Sequence, residues 1–166
     1  SCKNDLKTIE SLTGADSGPI ETTWSIEMVY TEAASKRVRV TAPRMDVFEG
    51  EKNYIELPEG IEVLFYDSLG RQTSSISAKY AISFDNNQRI EAENDVVVIN
   101  EAGETLNTEH LVWDREAKTI FSDKFVKITS GEEVLYGDGL EADERFEKWV
   151  IKSPRGSFVV NTDDSL

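Results

Sequence analysis

The chain has 166 residues, 39% of them apolar and 30% charged, which suits one domain of ordinary size and leaves little room for two. Eighteen Lys and Arg against 32 Asp and Glu give a formal net charge of -14, which argues against a nucleic-acid partner and against docking on an anionic bilayer through a basic patch. No apolar run approaches the roughly 18 to 20 residues that a membrane-spanning helix needs, one cysteine excludes an intrachain disulfide framework, and one histidine leaves metal binding to carboxylates.

The chain opens Ser1-Cys2-Lys3-Asn4-Asp5 without an initiator methionine. A cysteine at this position followed by polar residues is where a bacterial lipoprotein carries its acyl chains, so Cys2 is the expected lipidation site; the plainer reading is a free surface thiol. Residues 11–19 are small, polar and punctuated by Gly and Pro, and residues 1–22 read as a flexible tether. Trp24, Tyr30 and the Glu27-Met28-Val29 stretch fit a strand or a helix equally.

From Val38 onward the pattern is all-β. Arg37 to Ala42 alternates charged and apolar, and Ile76, Ala78, Tyr80, Ile82 and Phe84 are placed by alternation on one face. Ile61, Val63 and Phe65 share a face against Glu62, Ile90 and Ala92 oppose Glu91 and Glu93, and Lys127 between Val126 and Ile128 points to water. One wet and one dry face is the signature of antiparallel sheet. The expected interior is Ile55, Leu57, Ile61, Val63, Phe65, Tyr80, Ile82, Phe84, Ile90, Val96, Val98, Trp113, Ile120, Val126 and Ile128.

Two half-motifs recur in fixed order. The first, a strand carrying a small residue and then an apolar one, begins at Thr41, Ser77, Thr108 and Gly137, with spacings of 36, 31 and 29 residues. The second begins at Leu57, Ala92, Ser122 and Ser153, with spacings of 35, 30 and 31. Polar turns fall between them each time. Four copies of one unit imply that each stacks on its neighbour. Within the second half-motif, Pro58-Glu59-Gly60, Asn94-Asp95, Asp123-Lys124 and Pro154-Arg155-Gly156 interrupt a strand without reversing it. They read as corners where the chain passes from one sheet to another. The expected architecture is an open, twisted β-jellyroll of two antiparallel sheets over residues 23–160, with a polar tail at 161–166. Such a stack leaves a strand edge at each end.

Sites of chemistry are weak. His110 has Glu109 and Asp114 nearby in sequence, but nothing places a partner and a pocket around it. Gly137-Asp138-Gly139 lacks the ordered oxygens of a calcium loop and reads as a turn. The segment from Gly14 to Gly18 lacks the strand and helix that flank a phosphate loop. No catalytic residue, metal or cofactor is assigned.

The alternating strand ending in Ala78, the Leu57-Pro58-Glu59-Gly60-Ile61 corner and the Asp67-Ser68-Leu69-Gly70 turn resemble the periplasmic lipopolysaccharide-export proteins with the OstA-type β-jellyroll, and among them the LptC family. The resemblance spans residues 38–160. It implies a non-enzymatic carrier that receives lipopolysaccharide from an inner-membrane ABC transporter and its permease subunits. The carrier passes it to a soluble bridging protein of the same fold, with the acyl chains between the sheets. It implies a periplasmic domain held at the inner membrane, here through Cys2 where many members carry a transmembrane helix. The interior residues then become lipid-binding positions, and Ser157, Phe158, Val159 and Val160 the edge on which the bridging protein docks. The alternatives are the soluble bridge itself and a structural or adhesive surface lipoprotein with a filled core. The N-terminal segment near Trp24 to Tyr30 folded over the C-terminal edge is the alternative to docking there.

Overall fold

The computed structural model describes residues 18–159. Fourteen strands are joined by turns and two single 3-10 turns: β1 (Glu21–Thr31), β2 (Arg37–Phe48), β3 (Tyr54–Leu57), β4 (Ile61–Tyr66), β5 (Gln72–Ala78), β6 (Tyr80–Phe84), β7 (Arg89–Ile99), β8 (Thr105–Asp114), β9 (Thr119–Ser122), β10 (Val126–Ser130), β11 (Glu133–Gly137), β12 (Gly139–Asp143), β13 (Trp149–Lys152) and β14 (Ser157–Val159). All pairings are antiparallel, and the strands form one continuous sheet folded into two layers. The first layer runs β1-β2-β4-β5-β7-β8-β10-β11-β14. The second runs β2-β3-β6-β7-β8-β9-β12-β13. Long strands β2, β7 and β8 belong to both, and β1 edges both by pairing with each half of β2.

The four copies are units of this folding. Each leaves along the first layer, crosses a corner into the second, reverses, and returns by another corner. The copies are β2–β4, β5–β7, β8–β10 and β11–β14. The corners at 58–60, 94–95, 123–124 and 154–156 lie where the interrupted strands place them. The first half-motif proves to be the other set of corners: residues 43–44, Lys79, 109–110 and Asp138. Gly137-Asp138-Gly139 is therefore a corner between β11 and β12, not a reversing turn.

The small residues at the corners of both half-motifs follow from crowding along this spine. A Cβ on Gly139 would stand 2.6 Å from the Ser122 carbonyl oxygen, and one on Gly60 2.7 Å from that of Ala78. Gly60 also has φ of +108°, a conformation open to glycine and strained for other residues. Corner bonds to corner: Lys79 N–H to Asn94 O at 3.0 Å, Asp95 N–H to Glu109 Oε2 at 3.0 Å, Thr108 Oγ1 to Phe125 O at 2.9 Å and Asp138 N–H to Lys152 O at 2.8 Å.

The core fills the space between the layers. Leu57, Ile61, Val63, Phe65, Ile90, Val96, Val98, Trp113, Ile120, Val126 and Ile128 are buried there as expected, with Ile55 packed against them. Phe65 of the first layer meets Trp113 of the second edge-on, ring centroids 5.8 Å apart. Tyr80, Ile82 and Phe84 depart from expectation. They are half-buried, and it is Ala81 and Ser83 of β6 that face the core. The cause is Lys79: one residue spent on the corner shifts the alternation by one, and a shift of one moves every following side chain to the other face. Phe84 instead joins Tyr54 and Phe48 in an aromatic row, with centroids 5.6 and 4.6 Å apart.

The segment around Trp24 to Tyr30 is a strand. β1 pairs with β2 along its whole length, so it occupies the edge opposite β14 and does not fold over the C-terminal end. Among the described residues, β14 pairs only with β11 and β13 only with β12. Both ends of the stack present an unpaired strand edge there.

Candidate functional site: an apolar cleft between the layers

The layers meet at the spine and separate toward the turns. Near the β1 end they enclose a cavity of about 180 Å³, walled by Ile26 and Met28 of β1, Val40 and Met45 of β2, Ile55 and Leu57 of β3, Ile61 of β4, Ala81 of β6 and Ile90 of β7. The same alternation that builds the core builds this wall, so the cavity is an unfilled continuation of the core. Five expected interior positions, Ile55, Leu57, Ile61, Ile82 and Ile90, are among the residues that line it. Val63, Phe65, Val96, Val98, Trp113, Ile120, Val126 and Ile128 pack among themselves farther along. Tyr80 and Phe84 lie on the outer face. Asn87 and Arg115 supply polar atoms to the lining.

The mouth of the cleft is bridged. Residues 144–148, the turn between β12 and β13, reach across to the first layer. The Arg145 guanidinium donates to Tyr66 O and Thr73 Oγ1, both at 3.2 Å, and to Glu32 Oε1 at 3.0 Å. Asn100 Nδ2 donates to Phe146 O at 2.7 Å, and the Phe146 side chain is fully buried although its φ is +56°. A buried aromatic residue in the left-handed region is an outlier held by its surroundings. Trp113 Nε1 donates to Glu144 Oε2 at 3.0 Å. Burial, together with a hydrogen bond to the Glu32 carboxylate, pushes the Glu144 carboxyl up to about 7. Burial also works against ionised Glu32, but hydrogen bonds from Glu144 and Arg145 and the charge of Lys118 outweigh it and hold Glu32 below the usual range. Between about pH 4.5 and pH 7 the pair therefore carries one proton, on Glu144. Periodicity gives no signal of this bridge, because it joins residues far apart in sequence.

His110 sits on the outer face of the second layer with Nε2 2.9 Å from Glu91 Oε1. Neither Glu109 nor Asp114 is its partner: Glu109 accepts from the Asp95 N–H and Asp114 from the Ala117 N–H. Among the described residues no group of three or more His, Cys, Asp or Glu is placed to hold a metal ion. Cys2 and Val160 lie outside the described residues; Ser157 to Val159 form β14.

Fold and cleft together define an open β-jellyroll with an apolar interior and, among the described residues, an unpaired strand edge at each end. A family profile described as "Lipopolysaccharide-assembly, LptC-related" matches residues 23–156, and the chain belongs to that family. It is a family of lipopolysaccharide-transport components rather than of enzymes. No curated protein matches the chain.

Proposed function

We propose that the protein carries lipopolysaccharide across part of the periplasm by holding acyl chains in the cleft between its layers. It takes them from an inner-membrane ABC transporter and hands them to a soluble bridging protein of the same fold. The observation that carries this reading is the apolar cavity between the layers. Burial there gains about 25 cal/mol per Å² of apolar surface removed from water, and release requires only that the next protein offer an equal surface. Hence the protein needs no chemical step of its own.

The two edges support a direction. β1 exposes Trp24, Met28 and Val29 at the end nearest the cavity, which suits reception from the transporter. β14, at the far end, offers main-chain donors and acceptors to a strand of the bridging protein, a mode that gives affinity with little demand on sequence. Filling the cavity tests the reading. Ala81→Met should lower the affinity for a fluorescent lipid A analogue at least tenfold while the circular dichroism spectrum stays unchanged. Equal binding by a folded Ala81→Met protein would reject the cleft as the acyl-chain site.

A further inference from the structure

Three buried side-chain polar atoms among the described residues have no hydrogen-bond partner: Tyr30 Oη, Ser74 Oγ and Arg115 Nε. Two of the three sit together. The Arg115 guanidinium lies over the Tyr30 ring, 4.5 Å from its centroid, and 5.8 Å from that of Trp113. Its Nη1 donates to Asn87 O at 2.9 Å, which fixes the head of the side chain, while Nε makes no well-aligned bond and the guanidinium interacts with the Tyr30 hydroxyl. Arg115 also lines the apolar cavity. Buried donors without acceptors are rare in native proteins, and an unseen ion or ligand is one of the few physical reasons for them.

Arg115 is a buried-side cation in a chain of net charge -14. The carboxyls nearest in the bridge are already engaged, Glu32 by Arg145 and Glu144 by Trp113. Burial pushes the Tyr30 hydroxyl up to about 12, so it remains a donor at every physiological pH.

We infer that Arg115 and Tyr30 form a headgroup subsite that takes the oxyanion of an anionic amphiphile whose acyl chain lies in the adjoining cavity. This rests on the proposal that the cleft holds acyl chains and adds to it a selection for charge. A guanidinium and a phenol beside an apolar wall match a phosphate ester at the end of a chain: two charge-assisted or neutral hydrogen bonds at one end, apolar contact at the other. A neutral headgroup would leave the guanidinium uncompensated.

Binding of dodecyl phosphate, dodecyl maltoside and inorganic phosphate to the full chain, measured by calorimetry, tests the subsite. The wild-type protein should bind dodecyl phosphate at least tenfold more tightly than dodecyl maltoside, and inorganic phosphate only weakly. Arg115→Gln should bring the two amphiphiles within twofold of each other, chiefly by weakening dodecyl phosphate. Tyr30→Phe, which keeps the ring stacked under Arg115, should weaken dodecyl phosphate about threefold and spare the maltoside. Unchanged preference in both variants would overturn the subsite while leaving the cleft proposal standing. Inorganic phosphate binding as tightly as dodecyl phosphate would also overturn it, in favour of a free-anion site. Failure of both amphiphiles to bind the wild-type protein would end both proposals.

Discussion

Arg145 and Glu32, 113 residues apart in sequence, meet at 3.0 Å across the mouth of the cleft. Both side chains are about nine-tenths buried, at 9% and 11% exposure. This contact ties the turn of the last repeat to the loop after β1, so one guanidinium links both ends of the stack. Arg145→Ala leaves Glu32 without its hydrogen-bonded cation and removes a donor to Tyr66 O. Removing one partner of a buried ion pair costs roughly 3 kcal/mol, and urea denaturation should show a loss of that order. A loss under about 0.5 kcal/mol, the range of an ordinary surface change, would show that the bridge does not hold the fold.

The Glu32 and Glu144 pair makes stability depend on pH in a defined window. Folding raises Glu144 from 4.5 to about 7, so its contribution is full below 4.5 and is lost as pH rises through 7. Glu32 is held below 4.5, and its contribution is lost as pH falls below that value. The melting temperature should therefore decline from about pH 5 to pH 8, as ionised Glu144 meets ionised Glu32. Glu144→Gln keeps an acceptor for Trp113 and a donor for Glu32, and should flatten that decline. An identical decline in wild type and variant would assign the pH dependence to other groups.

The spine predicts a sharp difference between glycines. Gly139→Ala sets a methyl group 2.6 Å from the Ser122 carbonyl oxygen, and overpacking of this kind costs about 1 to 3 kcal/mol. Gly50 has nothing within 4 Å of where a Cβ would stand. Gly50→Ala should change stability by less than about 0.5 kcal/mol. Equal effects at the two sites would mean that the corners are not packed against one another.

Docking at the C-terminal edge can be tested with a proline, provided the right residue is chosen. Tyr136 N–H donates to Gly156 O at 3.3 Å, and Tyr136 O accepts from Arg155 N–H at 2.9 Å. Two residues on, Val134 pairs with Phe158, so alternation aims the Phe158 N–H at β11 and the Ser157 N–H away from it. Ser157→Pro should reduce binding of a same-fold bridging protein at least tenfold and leave the melting temperature nearly unchanged. Phe158→Pro should instead detach β14 itself. Full partner binding by Ser157→Pro would move the docking site to another edge.

Much of the fold is legible in the chain because it repeats. Pro58, Gly60, Asn94, Asp95, Pro154 and Gly156 break strands at positions that alternation alone would carry through, and each break is a corner. Lys79 carries no such mark. It reads as one more outward residue of a continuous strand, and so the parity of Tyr80, Ile82 and Phe84 comes out inverted. The bridge through Arg145 and the pairing of Arg115 with Tyr30 are illegible for a different reason. Each depends on which distant turns the stacking brings together, and local patterning has no term for that.

The most direct test of the central claim is photo-crosslinking to lipopolysaccharide from four positions, two in the cavity wall and two on outer faces. Benzophenone side chains at Met45 and Ile55 should crosslink to lipopolysaccharide, and the same group at Tyr80 and Lys127 should not. Tyr80 is the decisive control, since an unbroken alternation would place it inside and the corner at Lys79 places it outside. Crosslinks from Tyr80 and Lys127 with none from Met45 or Ile55 would contradict transport through the cleft.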